Sequence, residues 1–305
     1  MRIFLTGATG YIGSAVLDAL LRASHQVTAL VRTPQAADAL SARGVTPVLG
    51  DLKNVKSYRA AAEGFDSYIH TAADSPVKRE EIDRKAIETL LGAASAHAGK
   101  TGQGAFVYTS GIWVLGSNAQ PMTESAQPNP SQVVAWRPAH EQLVLHASGN
   151  GLRVAVVRPG IVYGGSRGIV SDLLKNAMNG LIRVIGNGEN HWPLVYDRDL
   201  ADLYVRAATR AGAAGIYHAN DEADETVNTV VEGIVNHFSM RPDVRHVPIE
   251  EGRKKLGAYA DALALDQIVR SPRARELGWS PTIHSVSANV PRLLEEFRRG
   301  HERAA

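Results

Sequence analysis

Three glycines near the start of the chain stand where a phosphate group could bind. Gly7, Gly10 and Gly13 follow one another at three-residue spacing, after the apolar residues 3–5 and before an apolar stripe of helical period. A strand that turns through glycines into a helix leaves the first N–H groups of that helix unpaired, and their partial positive charge attracts a phosphate. Glycines also occur in turns that bind nothing, so the prediction depends on the strand and the helix on either side.

The segment 6–13, Thr-Gly-Ala-Thr-Gly-Tyr-Ile-Gly, closely resembles the opening of the extended short-chain dehydrogenase/reductases, the family that includes sugar-nucleotide epimerases and dehydratases. Segments 157–164, 192–201 and 277–281 are similar to later motifs of that family, so the resemblance covers nearly the whole chain. It implies a nicotinamide dinucleotide bound to a Rossmann sheet. The contacts predicted at the turn are Gly7, Thr9, Gly10, Tyr11, Ile12 and Gly13.

The residue after the second predicted strand decides between the two nicotinamide dinucleotides. In this type of fold an acidic side chain there binds the ribose hydroxyls of NAD, whereas an arginine accommodates the 2′-phosphate of NADP. The chain reads Val31-Arg32-Thr33, without Asp or Glu at this point. We therefore predict NADP as the preferred cofactor, with NAD possible, and Arg32 as the partner of the 2′-phosphate. A solvated surface arginine is the simpler alternative.

The resemblance implies further cofactor contacts after three other strands. Family members use an Asp after the third strand to bind adenine, although Asp is also a common turn former. Small residues after the fourth strand let the cofactor approach, and a Pro-Gly segment lines the nicotinamide, although such a pair can be a turn alone. The residues predicted on these grounds are Asp51, Leu52, Thr71, Ala72, Ala73, Pro159, Gly160 and Val162.

The catalytic pair that is usual in this family is missing. Its chemistry uses a tyrosine that exchanges a proton with the substrate oxygen, and a lysine four residues later that lowers the pKa of the tyrosine and binds ribose. No Tyr-xxx-Lys occurs in the chain. In one alignment of the helix concerned, Val133 and Arg137 take the two positions; in another, Trp136 and His140 take them.

A hydroxyl after the fifth strand is the remaining part of the family's catalytic pattern. The family position falls on Gly111, and Thr109 and Ser110 come just before it. We predict that Ser110 or Thr109 polarises the substrate oxygen.

The missing phenol leaves three functions open. An atypical reductase would take a hydride from NADPH and a proton from His140, Tyr163, Tyr196 or water; histidine titrates near neutral pH. A sugar-nucleotide epimerase or dehydratase would need displaced residues, and Ile161 stands where such enzymes carry Asn. A redox sensor would bind NADP(H) without chemistry and signal through a partner. We favour the reductase, acting on a small carbonyl or related apolar substrate.

Plainer roles compete for the same side chains. His140 is expected to be a partly exposed helical histidine. Arg137 could bind ribose in place of the lysine, or form an ion pair with Glu141 worth about 0.3–0.5 kcal/mol. Trp113 and Trp136 could line an apolar substrate pocket or belong to the core.

Composition excludes several function classes. Thirty-three basic against 31 acidic residues give no signature of nucleic-acid or membrane binding. The absence of cysteine excludes disulfides and thiolate catalysis, and the 11 histidines include no HExxH, so no metal site is expected. The first strand begins at residue 2, which leaves no room for a signal peptide, and no apolar run is long enough to span a membrane. We expect a cytoplasmic protein with a small-molecule substrate.

Alternating strand and helix patterns must position these residues. They predict an α/β fold with a doubly wound parallel sheet in residues 1–165, to which 195–220 return. Residues 166–194 and 221–305 are predicted to form a smaller substrate-binding region, and 116–130 a long loop. The resemblance implies a homodimer through the helices at 80–98 and 132–145.

Overall fold

The computed structural model describes residues 1–73 and 78–302 of the chain. Its strands are β1 (Arg2–Thr6), β2 (Gln26–Val31), β3 (Thr46–Leu49), β4 (Ser67–His70), β5 (Gly104–Thr109), β6 (Asn118–Met122), β7 (Leu152–Pro159), β8 (Ile161–Tyr163), β9 (Leu181–Ile185), β10 (Leu194–Tyr196), β11 (Gly215–Ala219), β12 (Asp243–Val247) and β13 (Gln267–Val269).

The helices alternate with these strands. They are α1 (Tyr11–Arg22), α2 (Pro34–Ser41), α3 (Arg79–Thr101), α4 (Arg137–His146), α5 (Ile169–Met178), α6 (Asp197–Thr209), α7 (Val227–Val235), α8 (Ile249–Leu256), α9 (Tyr259–Leu263), α10 (Pro272–Glu276) and α11 (Val290–Glu302). Within the described residues, no helix combines the length and the apolar character that crossing a bilayer requires.

Seven strands form one sheet in the order β11-β7-β5-β4-β1-β2-β3. The pairs from β3 to β7 are all parallel. The chain moves from β1 to β2 and β3 on one side and returns to β4 on the other, so the strand order reverses beside β1. Dinucleotides bind at the carboxyl ends of the strands at such a reversal. The predicted doubly wound parallel sheet is confirmed.

The chain divides into two compact units. Unit 1 contains Met1–Ser110, Trp136–Arg158 and Ala201–Tyr217, and with them most of the large sheet. Unit 2 contains Gly111–Ala135, Pro159–Leu200 and the described residues from 218 onward. Segments 111–135 and 159–165, which the sequence pattern assigns to the nucleotide-binding region, group with unit 2.

The register of the sheet places polar side chains directly beyond an apolar core. Phe4 pairs with Tyr68, and Tyr68 pairs with Phe106, and all three belong to the buried cluster that includes residues of α3. Two residues further along each strand, Thr6 pairs with His70, which pairs with Tyr108. Because side chains two apart share a face, this polar row also faces α3.

Unit 2 is built from short parallel strand pairs rather than one large sheet. The pairs are β8 with β10, β9 with β12, and β6 with β13. The strand β6 corrects the prediction of a long loop over 116–130. Its residues, Asn118–Met122, form a strand only because β13 supplies hydrogen-bond partners from far along the chain, which local sequence does not reveal.

The helix predicted at 132–145 is shorter than expected. A separate 3-10 turn covers Gln132–Val134, and α4 begins at Arg137. Pro138 lies in the first turn of α4, where its missing N–H costs nothing because that group would have no partner within the helix.

Candidate cofactor and active site

The glycine turn joins β1 to α1 in the geometry that a phosphate site needs. Gly7 has a positive φ of 82°, which favours glycine. A Cβ on Gly13 would lie 2.0 Å from the carbonyl oxygen of Gly7, so the helix packs on the turn with no room for a side chain. Gly10 is the N-cap and provides no side-chain hydrogen bond to the helix. The first N–H groups of α1 therefore face a surface without side-chain bulk.

The end of β4 lies against this turn. A Cβ on Gly7 would come within 2.7 Å of the Thr71 hydroxyl and of the Ala72 backbone nitrogen. The Thr71 hydroxyl donates to the carbonyl oxygen of Thr6 at 2.7 Å. This contact fixes the β4 end beside the glycines.

One cleft in unit 1 collects most of the predicted cofactor residues. Its lining comprises Thr6, Gly7, Thr9, Gly10, Leu30, Val31, Arg32, Gly50, Asp51, Leu52, Thr71, Ala72 and Ala73. Nine of the predicted contacts are among them. Tyr11, Ile12 and Gly13 lie beside it in the first turn of α1. The cleft is formed by the carboxyl ends of four adjacent strands, which explains why separate sequence segments converge on it.

Two side chains that line the cleft, Arg32 and Asp51, have different structural surroundings. Arg32 follows β2 directly and is exposed, and Thr33 caps α2 by accepting a hydrogen bond from the Ala36 N–H at 3.2 Å. Asp51 accepts a hydrogen bond from the Lys53 N–H at 2.9 Å. One carboxylate oxygen of Asp51 therefore stabilises the turn in which Asp51 lies, as the turn-former alternative predicts. Asp51 also lines the cleft.

The predicted nicotinamide segment belongs to unit 2. Pro159 ends β7, and Val162 pairs with Val195 where β8 lies beside β10. A Cβ on Gly160 would be 2.1 Å from the carbonyl oxygen of Pro193, so Gly160 permits a close approach of backbone to backbone. Contact of these residues with a cofactor stays a prediction.

The two hydroxyls at the end of β5 have different surroundings. Thr109 Oγ1 lies 2.7 Å from the phenol oxygen of Tyr204. Burial raises the pKa of Tyr204, so this phenol stays neutral. The Ser110 hydroxyl is buried and has no hydrogen-bond partner within the described residues. A buried hydroxyl is costly to leave unpaired, so Ser110 is the better placed of the two to bind a ligand oxygen.

Arg137 and Glu141 do not pair with each other. Glu141 accepts two hydrogen bonds from the buried guanidinium of Arg158, one of them at 2.9 Å. Arg137 instead donates from Nη1 to the carbonyl oxygen of Thr109 at 2.7 Å. The ion-pair alternative was wrong because Arg158 reaches Glu141 from the neighbouring strand, a contact that helical spacing does not show.

His140 is buried, 2% exposed, and this corrects the expectation of a partly exposed helical histidine. Its Nδ1 lies 2.8 Å from Oδ2 of Asp83 on α3, and the Trp136 ring meets its imidazole edge-on at 4.8 Å. The charge of Asp83 attracts the imidazole into the core, which the sequence of α4 alone could not indicate.

Asp83 binds two further side chains that the sequence reasoning missed. His70 Nε2 lies 3.2 Å from Oδ1, and the Tyr108 phenol donates to Oδ2 at 2.8 Å. Thr6 Oγ1 lies 2.6 Å from Nδ1 of His70. The sequence carried one sign of this cluster: Asp83 is an acidic residue within the apolar stripe of α3. Burial would raise the pKa of Asp83, but hydrogen bonds from His140 and His70 outweigh it and hold this pKa well below its usual range.

The tyrosines considered as proton donors donate to carboxyl groups in unit 2. The Tyr163 phenol lies 3.3 Å from Asp221, and that of Tyr196 lies 2.6 Å from Glu296. Burial, followed by the nearby acidic side chains, raises the pKa of both phenols. Neither phenol is poised to lose a proton near neutral pH.

The two tryptophans contact different groups. Trp113 packs against two apolar clusters of unit 2 and meets the Tyr259 ring at 5.6 Å. Trp136 lies under the Arg137 guanidinium, with Cζ 4.6 Å from the ring centre. Within the described residues, no group of three or more His, Asp or Glu side chains is arranged to hold a metal ion.

Sequence relatives include reductases. The chain is 33% identical over 300 residues to the uncharacterised protein C2A9.02 of Schizosaccharomyces pombe, covering 94% of this chain and 96% of that one. It is 27% identical over 263 residues to a 4-hydroxy-2-methyl-3-oxo-4-farnesyl-3,4-dihydroquinoline-1-oxide ketoreductase of Stigmatella aurantiaca, covering 83% and 78%.

Solved structures share the fold across nearly the whole chain. MoeE5 in complex with UDP-glucose and NAD has a TM-score of 0.81 at 20% identity, covering 98% of this chain and 99% of that one. The human epimerase family protein SDR39U1 with NADPH has a TM-score of 0.77 at 20% identity, covering 97% and 99%. The family model described as "NAD dependent epimerase/dehydratase family" matches residues 3–219. With its Rossmann sheet, glycine turn and converging strand ends, the chain belongs to the NAD-dependent epimerase/dehydratase family.

Proposed function

We propose that the protein is an NADP-preferring reductase of a small carbonyl or related apolar substrate. The observation that carries the proposal is Ser110: its hydroxyl is buried at the carboxyl end of β5 and has no hydrogen-bond partner in the described part of the chain. A carbonyl oxygen would accept that hydrogen bond and would be polarised by it.

The cleft supports the cofactor part of the proposal. Gly7 and Gly13 could not carry a side chain without collision, so strand, turn and helix start pack closely, and a diphosphate could approach the backbone of this turn. Arg32 follows β2 directly, between Val31 and Thr33 in the sequence, and lines the same cleft. A guanidinium matches a phosphate in charge and geometry, which favours the 2′-phosphate of NADP.

The relatives and the aromatic pair support the substrate class. The Stigmatella relative is named a ketoreductase, which is a carbonyl reduction. In unit 2, Trp113 and Tyr259 form a partly exposed aromatic pair, a surface that suits an apolar molecule. A bound nicotinamide would supply the hydride, and the chain would bind and polarise the carbonyl.

The test is oxidation of NADPH and of NADH by the purified protein across aldehydes, ketones and enones. We expect turnover with at least one ketone and a higher kcat/KM with NADPH than with NADH. Turnover with NADH alone would contradict the cofactor preference. Tight NADPH binding without turnover on any compound would contradict the reductase.

One observation favours a second candidate, a redox sensor that binds NADP(H) without chemistry. The segment that carries the tyrosine in the family has Val133 and Trp136 in its place, and the Thr109 hydroxyl is already paired with Tyr204. A sensor requires a partner protein whose affinity differs between the NADP and NADPH forms, which a reductase has no reason to show.

A further inference from the structure

We propose that the buried network around Asp83 positions Arg137 as the cation that stabilises negative charge on the substrate oxygen. The inference rests on the proposed reductase function and adds a positioning role for Asp83 and Tyr108. The network lies wholly within unit 1 and connects α3, α4 and the ends of β4 and β5.

The directions of the hydrogen bonds follow from the ionised state of Asp83. A carboxylate only accepts, so His70, His140 and Tyr108 must all donate to it. Because the Tyr108 proton is committed to Asp83, the phenol oxygen is left to accept. Nη1 of Arg137 lies 3.4 Å away and donates to it. The carboxylate of Asp83 thus orients the Tyr108 hydroxyl, and the Tyr108 oxygen in turn accepts the hydrogen bond from Arg137.

Arg137 is held on one side and open on the other. Its Nη1 is shared between the Tyr108 phenol and the carbonyl oxygen of Thr109, which lie 3.4 Å and 2.7 Å away, and the Trp136 ring lies beneath the guanidinium. Among the described residues, no side chain or carbonyl accepts a hydrogen bond from its Nε or Nη2. The bond to Thr109 places the cation at the end of the strand that leads into Ser110.

A fixed cation at this point suits the reduction of a carbonyl. The carbonyl carbon gains a hydride from a bound nicotinamide, the electron pair of the C=O bond moves to oxygen, and that oxygen takes a proton from water to give the alcohol. A guanidinium keeps its charge and supplies no proton. It stabilises the oxyanion, and a prearranged donor does so without reorganisation during the reaction.

A double-mutant cycle tests whether Tyr108 acts through Arg137. With the best ketone from the substrate panel, Arg137→Met should lower kcat about 100-fold, and Tyr108→Phe about fivefold. The double variant should be no slower than Arg137→Met alone, because the positioning group has nothing left to position. Losses that multiply would overturn the proposal. Tyr68→Phe is the matched control, a buried tyrosine on the same sheet face whose hydroxyl, within the described part of the chain, accepts only from the Phe65 N–H.

A second measurement needs no turnover. ¹⁵N NMR of the guanidinium groups reports how fast the Arg137 N–H protons exchange with water. Tyr108→Phe, and Asp83→Asn as an independent variant if the first does not fold, should speed this exchange about tenfold, and Tyr68→Phe should not change it. Unchanged exchange in a folded Tyr108→Phe protein would overturn the positioning role. Faster exchange in a protein that reduces no carbonyl would support that role and overturn the reductase function.

Discussion

The Thr109 hydroxyl lies 2.7 Å from the phenol of Tyr204, a residue 95 positions later in the chain, whereas the hydroxyl of the adjacent Ser110 has no hydrogen-bond partner among the described residues. Two neighbouring residues of similar chemistry thus have separate tasks. The Thr109 hydroxyl forms a hydrogen bond with Tyr204 within unit 1, whereas the Ser110 hydroxyl can donate a hydrogen bond to a ligand. The difference leads to opposite expectations for their substitution.

Ser110→Ala should lower kcat about 100-fold, because it removes a donor to the substrate oxygen, and should leave the melting temperature unchanged or slightly higher, because an unpaired buried hydroxyl contributes no stability. Thr109→Val should lower the free energy of unfolding by about 1 kcal/mol, since the Tyr204 phenol loses its partner. Steady-state kinetics and thermal unfolding separate the two. Equal losses of stability would contradict the assignment.

Arg32→Glu should weaken NADPH binding about 10- to 100-fold, because a charge-assisted hydrogen bond to the 2′-phosphate is lost and a like charge replaces it. Binding of NADH should change less or improve. Calorimetric titration of both cofactors measures this. Arg210→Glu, an exposed position outside the cleft lining, is the control for net charge. The same loss of affinity for both cofactors would contradict a 2′-phosphate contact.

Gly13→Ala should abolish cofactor binding and destabilise the protein, because its Cβ would lie 2.0 Å from the Gly7 carbonyl oxygen. Gly92→Ala is the matched control. Gly92 lies within α3, and among the described residues no atom beyond its chain neighbours and the adjacent helix backbone lies within 4 Å of the added Cβ. The change should stabilise the helix by about 0.5–1 kcal/mol. Calorimetry and thermal unfolding report both effects. Normal NADPH affinity in Gly13→Ala would show that the turn does not bind the diphosphate.

The stability of unit 2 should fall as pH rises toward about 8. Burial raises the pKa of Asp221 from 3.8 to about 8. Between these two values the folded state therefore keeps a proton on Asp221 that the unfolded state has released. The contribution of Asp221 to the free energy of unfolding is fully present below pH 3.8 and is lost as pH rises through about 8. At ~1.4 kcal/mol per pKa unit, the fall between pH 6 and pH 8 is about 2–3 kcal/mol.

Asp221→Asn keeps a neutral side chain whose amide oxygen can still accept a hydrogen bond from the Tyr163 phenol. It should remove most of that fall, so its melting temperature should exceed that of the parent by a margin that widens from pH 6 to pH 8.5. Thermal unfolding from pH 6 to pH 9 provides the measurement. The control is Asp202→Asn, the same change at an exposed position. Parallel curves for the parent and Asp221→Asn would contradict the protonated state.

The sequence by itself determined the parts of this protein that depend on near neighbours. The glycine turn could be predicted from Gly7, Gly10 and Gly13, because strand, turn and helix lie within 22 residues. The positions of β2 and α5 follow from local periodicity alone. Arg32 could be assigned to the end of β2 for the same reason. The missing tyrosine was also visible, since absence of a motif requires no structure.

Only the tertiary structure decided which polar groups meet. Asp83 contacts His140, 57 residues away, and Thr109 contacts Tyr204; both pairs lie on separate elements that packing brings together. Helical spacing suggested an ion pair between Arg137 and Glu141, but Glu141 instead binds Arg158 on β7. Residues 118–122 form a strand because they pair with β13. Such contacts depend on strand register and on packing between segments that are distant in the sequence. The local pattern of apolar and polar residues does not determine either of them.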